Sequence, residues 1–461
     1  MAIINTPART LGLFRLTMIM VISVDSIRNI SISAQYGFAL VSFYALIGIT
    51  FLLPLILISS RLASQYPNTG GSYLWIQAAF GKKIGFLSIW LQWVYQIIWY
   101  PTIFAFIASI VATLIHPALE LNSWFILLIS LSLFWIMTLF STYGIKATTW
   151  ISTIGALIGT LLPMVFIIVL AAYWLASKHV SATPLSLKAL LPDQNARDNL
   201  SYFANILFSV LGLEVAAMHA GDVKTPERTY RKAMMLAGMI ILVSLIFSAL
   251  ALSIVIPPAH IGLLDGLMAA FSVFLDAYHL GALIPFVGLA IILGSLGIAF
   301  SWIIGLARGL QVACVDAGVF PSLQALNKRY MPYRVLLLQG VIYSLLVSVF
   351  LLFPNVNNAY WILSALTSQF ALIYYVILFM AAIKLVGNCK QNKTPGSSKT
   401  LINFGLLILA IITSVIGIGV GFIPPTSIPG NSLWKFELLL IAGLVLFCLP
   451  VIFICKRIQN H

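Results

Sequence analysis

Runs of about 20 apolar residues follow one another along nearly the whole chain, each long enough to carry a helix across roughly 30 Å of hydrocarbon. Twelve are read, at about 11–34, 38–62, 84–114, 123–143, 149–176, 200–220, 233–256, 282–307, 335–353, 359–384, 401–423 and 436–455. Inside lipid every backbone N–H and C=O needs a partner within the protein, so the choice lies between helices and a closed barrel. Barrel strands alternate apolar and polar residues over about 10 positions. Stretches such as Ile240–Leu252 carry no such alternation, and helices follow. Only 8% of the residues are charged, where a soluble domain carries roughly 25%. The expected class is an all-α integral membrane protein with twelve transmembrane helices, forming one membrane domain over 1–461.

The few charges are placed unevenly. Lys and Arg number 25 against 11 Asp and Glu, a net charge of +14. In a soluble protein this excess would point to nucleic acid. With the N-terminus inside, about 20 of the 25 basic residues fall on cytoplasmic connections and termini, among them Lys82, Lys83, Lys146, Lys224, Arg228, Arg308, Lys328, Arg329 and Arg334. The outer side holds Lys178, Lys188, Arg197 and Lys435. This bias predicts a multi-pass protein of the inner membrane with both termini in the cytoplasm, and it accounts for the net charge without a nucleic-acid partner. Arg9 and Arg15 precede an apolar run in the manner of a signal peptide, but Asp25 interrupts the run and no small-residue cleavage site follows, so the segment reads as a retained first span. Cys314, Cys389, Cys448 and Cys455 read as free thiols, since none falls in a predicted outer loop. No zinc spacing and no phosphate-binding Gly-rich loop occur, so no metal and no cofactor are expected. The GNCKQNKTPGSSK stretch within 385–400 reads as a cytoplasmic linker, and nothing in the sequence signals an oligomeric state.

Two spans carry polar groups at bilayer depth. The first contains Ser23, Asp25, Ser26, Arg28 and Asn29, and the sixth contains Ser209, Gly212, Glu214 and His219. They lie five spans apart, which is where transporters built from inverted repeats place their broken helices. Spans 1–5 (about 11–176) and 6–10 (about 200–384) would be the two halves, with added helices at about 401–456. An ionisable residue at that depth costs about 2.5–3.5 kcal/mol on insertion scales, so Asp25, Arg28 and Glu214 need a reason. One reason is a buried ion pair of Arg28 with Asp25 or Glu214; the other is a substrate or proton site. A broken helix frees N–H groups at one half-helix end and C=O groups at the other, a cradle for the carboxylate and ammonium of an amino acid. Ser23–Ser26 and Ser209–Glu214 are the expected breaks. The first lacks glycine, so its Ser and Asp side chains are expected to satisfy the freed backbone. Asp25, Glu214 and His219 are the proton-coupling candidates. Gln92, Tyr95, Gln96 and Trp99 share one face of span 3. Ser301 and Trp302 on span 8, and Thr367, Ser368 and Gln369 on span 10, are further candidates. Asp265–Tyr278 reads as a short helix over the outer vestibule with Asp265 as its N-cap. Glu214 and His219, five residues apart, do not share a helix face, and no catalytic constellation is evident, so the chain is not read as an enzyme.

These residues resemble a known family. Pro67, Gly70, Gly71, Tyr73 and Trp75, followed by Phe80-Gly81, look like the signature after span 2 of amino acid permeases of the amino acid–polyamine–organocation superfamily. Arg308, then Asp316, Gly318 and Pro321, looks like the stretch after span 8. Within that superfamily the chain is most similar to the glutamate/GABA antiporter branch, through Gly212-Leu-Glu214 to His219 with Pro226, Arg228 and Tyr230. Ser301-Trp302 to Gly305 with Arg308-Gly309, and Phe422 to Pro425 with Gly430 and Glu437, add to the likeness. The resemblance implies a five-plus-five inverted-repeat, leucine-transporter-like fold with helices 1 and 6 broken. It implies alternating access, in which spans 1, 2, 6 and 7 rock against spans 3, 4, 8 and 9, and exchange of amino acids or their amine products. Substrate-contacting positions would be Ser23, Asp25, Ser26, Arg28, Ser209, Gly212, Glu214 and Trp302. Alternatives are a nutrient sensor on the permease fold and a proton-coupled uptake permease without exchange. Acid-resistance members of the branch carry a C-terminal plug; here only Lys456–His461 follow the last span, and no plug is expected. The branch can carry an acid three residues before the Ser301-Trp302 pair, where this chain has Ile298.

Overall fold

A computed structural model describes residues 12–66, 71–143, 155, 157–192, 196–215, 226–353, 355–387, 398–423 and 433–458. Among these all regular structure is helical. In chain order the main helices are α1 (Leu13–Val24), α2 (Asn29–Ala34), α3 (Gly37–Gln65), α4 (Ser72–Phe80), α5 (Lys82–Ile115), α6 (Ser123–Ser141), α7 (Leu157–Ala176) and α8 (Ala196–Ser209). They continue with α9 (Arg231–Val255), α10 (Gly266–Ala277), α11 (Ile284–Ala317), α12 (Tyr333–Val347), α13 (Val356–Gly387), α14 (Ser398–Val420) and α15 (Leu433–Arg457).

Nine helices among the described residues are long and apolar enough to cross a membrane. The first, sixth and eleventh predicted spans fall instead on the shorter apolar stretches Leu13–Val24, Phe203–Val215 and Phe404–Val420. The first is short because its helix stops at Val24, as the polar residues in its middle predict, and in the sixth the helix α8 stops at Ser209. The span over α11 runs well past its predicted end near residue 307, because Arg308–Ala317 stays helical after its apolar run ends. It stops where Gly318 takes a left-handed φ of +66°, a conformation that a side chain disfavours. The outer helix α10 forms as expected, but Asp265 makes no side-chain capping bond: its own backbone is already helical, with φ −96° and ψ −21°. An N-cap side chain reaches back to the first turn from an extended backbone, which Asp265 lacks.

Burial divides the helices by role. The apolar window of α5 is 83% buried, whereas that of Phe436–Lys456 is 17% buried. Lipid tails solvate an apolar surface, so the exposed Phe286, Leu345, Leu446 and Phe453 on the outer faces suit a bilayer and not water. The buried α5 is where polar residues concentrate: Gln92, Gln96, Thr102 and Ser109 all lie inside the bundle. It packs chiefly against α13 and α11, while α1 packs against α9. The α7–α11 crossing is built on glycine: Gly159 meets the backbone of Ala290 and Gly294 so closely that no side chain fits between.

Candidate functional site

The first break opens where α1 ends at Asp25, whose N–H closes the last helical bond to Val21 O at 2.7 Å and whose backbone is extended, with ψ 100°. The chain turns once, Asn29 N–H to Ser26 O at 3.0 Å, before α2 begins. The N–H groups of Ser26, Ile27 and Arg28 have no hydrogen-bond acceptor among the described residues, as a helix interruption requires. The side chains do not fill this gap, contrary to the expectation from sequence. Ser23 Oγ donates back into α1, to Met20 O at 2.8 Å. The Asp25 carboxylate instead accepts from Ser244 of α9 at 2.7 Å, because it points away from the freed amides toward the helix packed behind it.

The second break follows α8. Val210 and Leu211 N–H close tight turns onto Leu207 O and Phe208 O, and Gly212 then takes a φ of +107°. One hydroxyl holds this turn: Tyr375 of α13 accepts from Gly212 N–H at 2.7 Å and donates to Glu214 Oε2 at 2.5 Å. The two breaks touch. A Cβ on Gly212 would lie 3.3 Å from the Ser23 carbonyl and 3.4 Å from the Trp302 ring, so only glycine brings these three surfaces together without strain.

A cavity of about 40 Å³ lies at this meeting point. Ser23, Val24, Ser26 and Asn29 line it from the first broken span, and Phe208, Leu211 and Gly212 from the second. Tyr95, Gln96 and Trp99 of α5 and Ile298 and Trp302 of α11 close it. The space suits a few waters and is too small for an amino acid, so seating one requires the lining to part.

Of the predicted site residues, Ser23, Ser26, Gly212 and Trp302 line this cavity together with three of the four polar-face residues of span 3. Asp25, Arg28, Ser209 and Glu214 stand behind it. Arg28 is 1% exposed and donates to Thr102 Oγ1 and Tyr360 Oη, both at 2.8 Å, and to Asn29 Oδ1 at 3.1 Å. Its guanidinium lies 5.6 Å from the Trp99 ring centre and 5.5 Å from that of Tyr360. Among the described residues it forms no ion pair with Asp25 or Glu214, because the break removes the helical register that would align residues 25 and 28. Ser209 Oγ bonds to Ile206 O and to the Tyr44 hydroxyl. Gln92 is buried outside the lining, and Thr367, Ser368 and Gln369 spend their hydrogen bonds on helix carbonyls. Ser301 is exposed, and His219 lies outside the described residues, as do Pro67–Gly70 and Pro424–Gly430 of the motif stretches.

Sequence reasoning did not select Asn29, Phe208 or Leu211 as lining residues. Asn29 follows Ser26 by three positions within the polar cluster, which was an available signal; Phe208 and Leu211 are indistinguishable from lipid-facing residues in a membrane span.

Comparison with known proteins sets the site in context. A family model described as amino acid permease matches residues 11–447. An uncharacterised transporter of Legionella pneumophila is 40% identical over 463 residues, covering 98% of each chain. A glutamate/gamma-aminobutyrate antiporter of Lactococcus lactis is 27% identical over 94% of this chain and 87% of its own length. A Lactococcus lactis protein named as a probable agmatine/putrescine antiporter is 28% identical over 73% of this chain and 71% of its own. The family match spans both breaks and every helix lining the cavity, and the chain belongs to the amino acid permease family of the amino acid–polyamine–organocation superfamily.

Proposed function

We propose that the protein is a secondary transporter that exchanges amino acids, or the amines derived from them, across the inner membrane by alternating access. The observation that carries this reading is the contact of two interrupted helices around a small cavity within the membrane bundle, where Ser23, Ser26, Asn29 and Gln96 stand among apolar and aromatic side chains. Freed N–H groups of Ser26, Ile27 and Arg28 would receive the substrate carboxylate, and the carbonyl side of the breaks its ammonium. An inverted repeat is supported by the interruption of the first and the sixth spans, five spans apart. Arg28 then ties the mobile first span to α5 and α13, and release of its bonds to Thr102 and Tyr360 is the step that frees the cavity.

The positive-inside bias supports cytoplasmic termini, and antiporter-named bacterial relatives support the inner membrane. A proton-coupled mode is favoured by one observation. Asp25 and Glu214 each keep a carboxylate oxygen without a hydrogen-bond partner, and each is fully buried. Such a carboxylate is a natural proton carrier during transport.

Countertransport tests the reading. Liposomes holding the purified protein and preloaded with an unlabelled amino acid or amine should take up the same labelled compound faster than empty ones. Equal rates across all amino acids and common diamines would contradict it. Ligand binding without acceleration would favour the sensor.

A further inference from the structure

We infer that the protein holds an anionic phospholipid of the cytoplasmic leaflet in a cleft between α3, α13 and α14, with the lipid phosphate on Arg61. The inference goes beyond the proposed transport function and takes its membrane orientation from it.

Pro54, Leu57, Ile58 and Arg61 line one side of the cleft. Their spacing of three and four residues sets them in one row along α3. On the other side α13 and α14 close it with aliphatic side chains, among them Val386 and Leu407. The cleft measures about 30 Å³, and Arg61 is the only polar side chain among its described lining residues. All three helices are apolar enough to lie in lipid, so an acyl chain, and not water, suits such a recess.

Arg61 supplies the charge. It is half-buried, and its guanidinium has no hydrogen-bond, ring or carboxylate partner among the described residues. Its carbonyl is engaged, accepting from the Ser64 hydroxyl at 2.8 Å. Lys384, at the same end of α13, differs: its ammonium lies 5.1 Å from the Phe80 ring centre. The connection from α13 to α14 brings Lys390, Lys393 and Lys399 and no acid. An anion from outside the chain is the fitting counter-charge. A guanidinium fork takes two phosphate oxygens at once, and basic pockets between spans on the cytoplasmic side suit anionic head groups.

The order of groups along α3 selects a lipid. By the helix rise, Arg61 lies about 10 Å further along α3 than Pro54. In the proposed topology that end faces the cytoplasm. The charge therefore stands at head-group level and the apolar row runs from it toward the bilayer centre, as head group and chain do in a lipid of that leaflet. Free phosphate would use the guanidinium and leave the row empty. Position also gives the lipid an effect. The second span, α3, belongs to the set that rocks in the proposed cycle, whereas α13 packs on α5 of the opposing set. A lipid in the cleft bridges parts that move past one another.

The test is stabilisation of the purified full chain in a non-ionic detergent, read as the rise in unfolding temperature with added ligand. Phosphatidylglycerol, phosphatidylcholine and inorganic phosphate are the probes. Phosphatidylglycerol should stabilise the native chain at the lowest concentration, and phosphate alone should not stabilise it. Arg61→Gln should weaken phosphatidylglycerol about fivefold or more and bring it level with phosphatidylcholine. Arg61→Lys should keep the anionic preference at reduced strength. Leu57→Trp fills the cleft, keeps the charge and should weaken both lipids. Arg329→Gln removes a cation from another cytoplasmic connection and should change neither. Equal stabilisation of the native chain by the two lipids would overturn the inference. So would an anionic preference that survives Arg61→Gln, an equal loss in Arg329→Gln, or phosphate alone matching the lipid. If Arg61→Gln does not fold, Arg61→Lys and Leu57→Trp decide: unchanged lipid affinities in both would overturn it. Binding is read without transport, so failure of countertransport and failure of this inference are separate results.

Discussion

Gly212 shows how much of the site depends on one residue. Its φ of +107° belongs to glycine, and the Ser23 carbonyl and Trp302 ring crowd the place where a Cβ would go. Gly212→Ala should lower stability by about 1–3 kcal/mol and depress countertransport, measured by thermal unfolding and liposome uptake. Tyr375 is the second such point. Removing its hydroxyl leaves the Gly212 N–H and a Glu214 oxygen buried without partners, so Tyr375→Phe should cost about 1–3 kcal/mol in the same unfolding assay. At this scale the sequence was informative where a residue broke the pattern of its surroundings. Ser23, Ser26 and Gly212 stood out as polar or small inside apolar runs, and they line the cavity. Orientation was not legible. The short spacing of Asp25 and Arg28 allowed a helical pair, and only the turn between α1 and α2 shows that they face different neighbours.

At the level of elements, the crossing of α7 and α11 is set by absence of side chains. Gly159 meets the Gly294 backbone directly, and this contact seats α11, which carries Trp302 and Ile298 into the cavity wall. Gly159→Leu should push the helices apart and destabilise the protein by about 1–3 kcal/mol, with a parallel loss of transport, whereas Gly305→Ala, where nothing lies near the added Cβ, should leave both close to native. Helix existence was readable because a run of apolar residues in lipid has only one way to satisfy its backbone. Helix ends were less so. The last turns of α11, from Arg308 to Ala317, continue the helix past the apolar run that set its predicted end, and Asp265 resembles a cap in sequence without acting as one.

At the scale of the molecule, the charges describe topology and the buried exceptions describe the site. The net charge of +14 is written largely into loops that the positive-inside bias places in the cytoplasm. Single cysteines in a chain whose four native cysteines are replaced test that placement. Lys178→Cys should react with a membrane-impermeant maleimide in intact cells, and Lys328→Cys only after the membrane is opened. The proposed relation of the two halves is not legible in the letters, since only the positions of the polar breaks correspond and the residues do not.

Alternating access through the cavity between the two breaks makes one direct demand. In the same cysteine-free background, Ser26→Cys places a thiol in the cavity wall. Its reaction with an impermeant thiol reagent is measured in right-side-out and in inside-out vesicles, with and without transported substrate. Labelling should occur from both faces, and substrate should slow it on each. Labelling from one face alone, or from neither at any substrate concentration, would contradict a cavity that opens in turn to the two sides of the membrane.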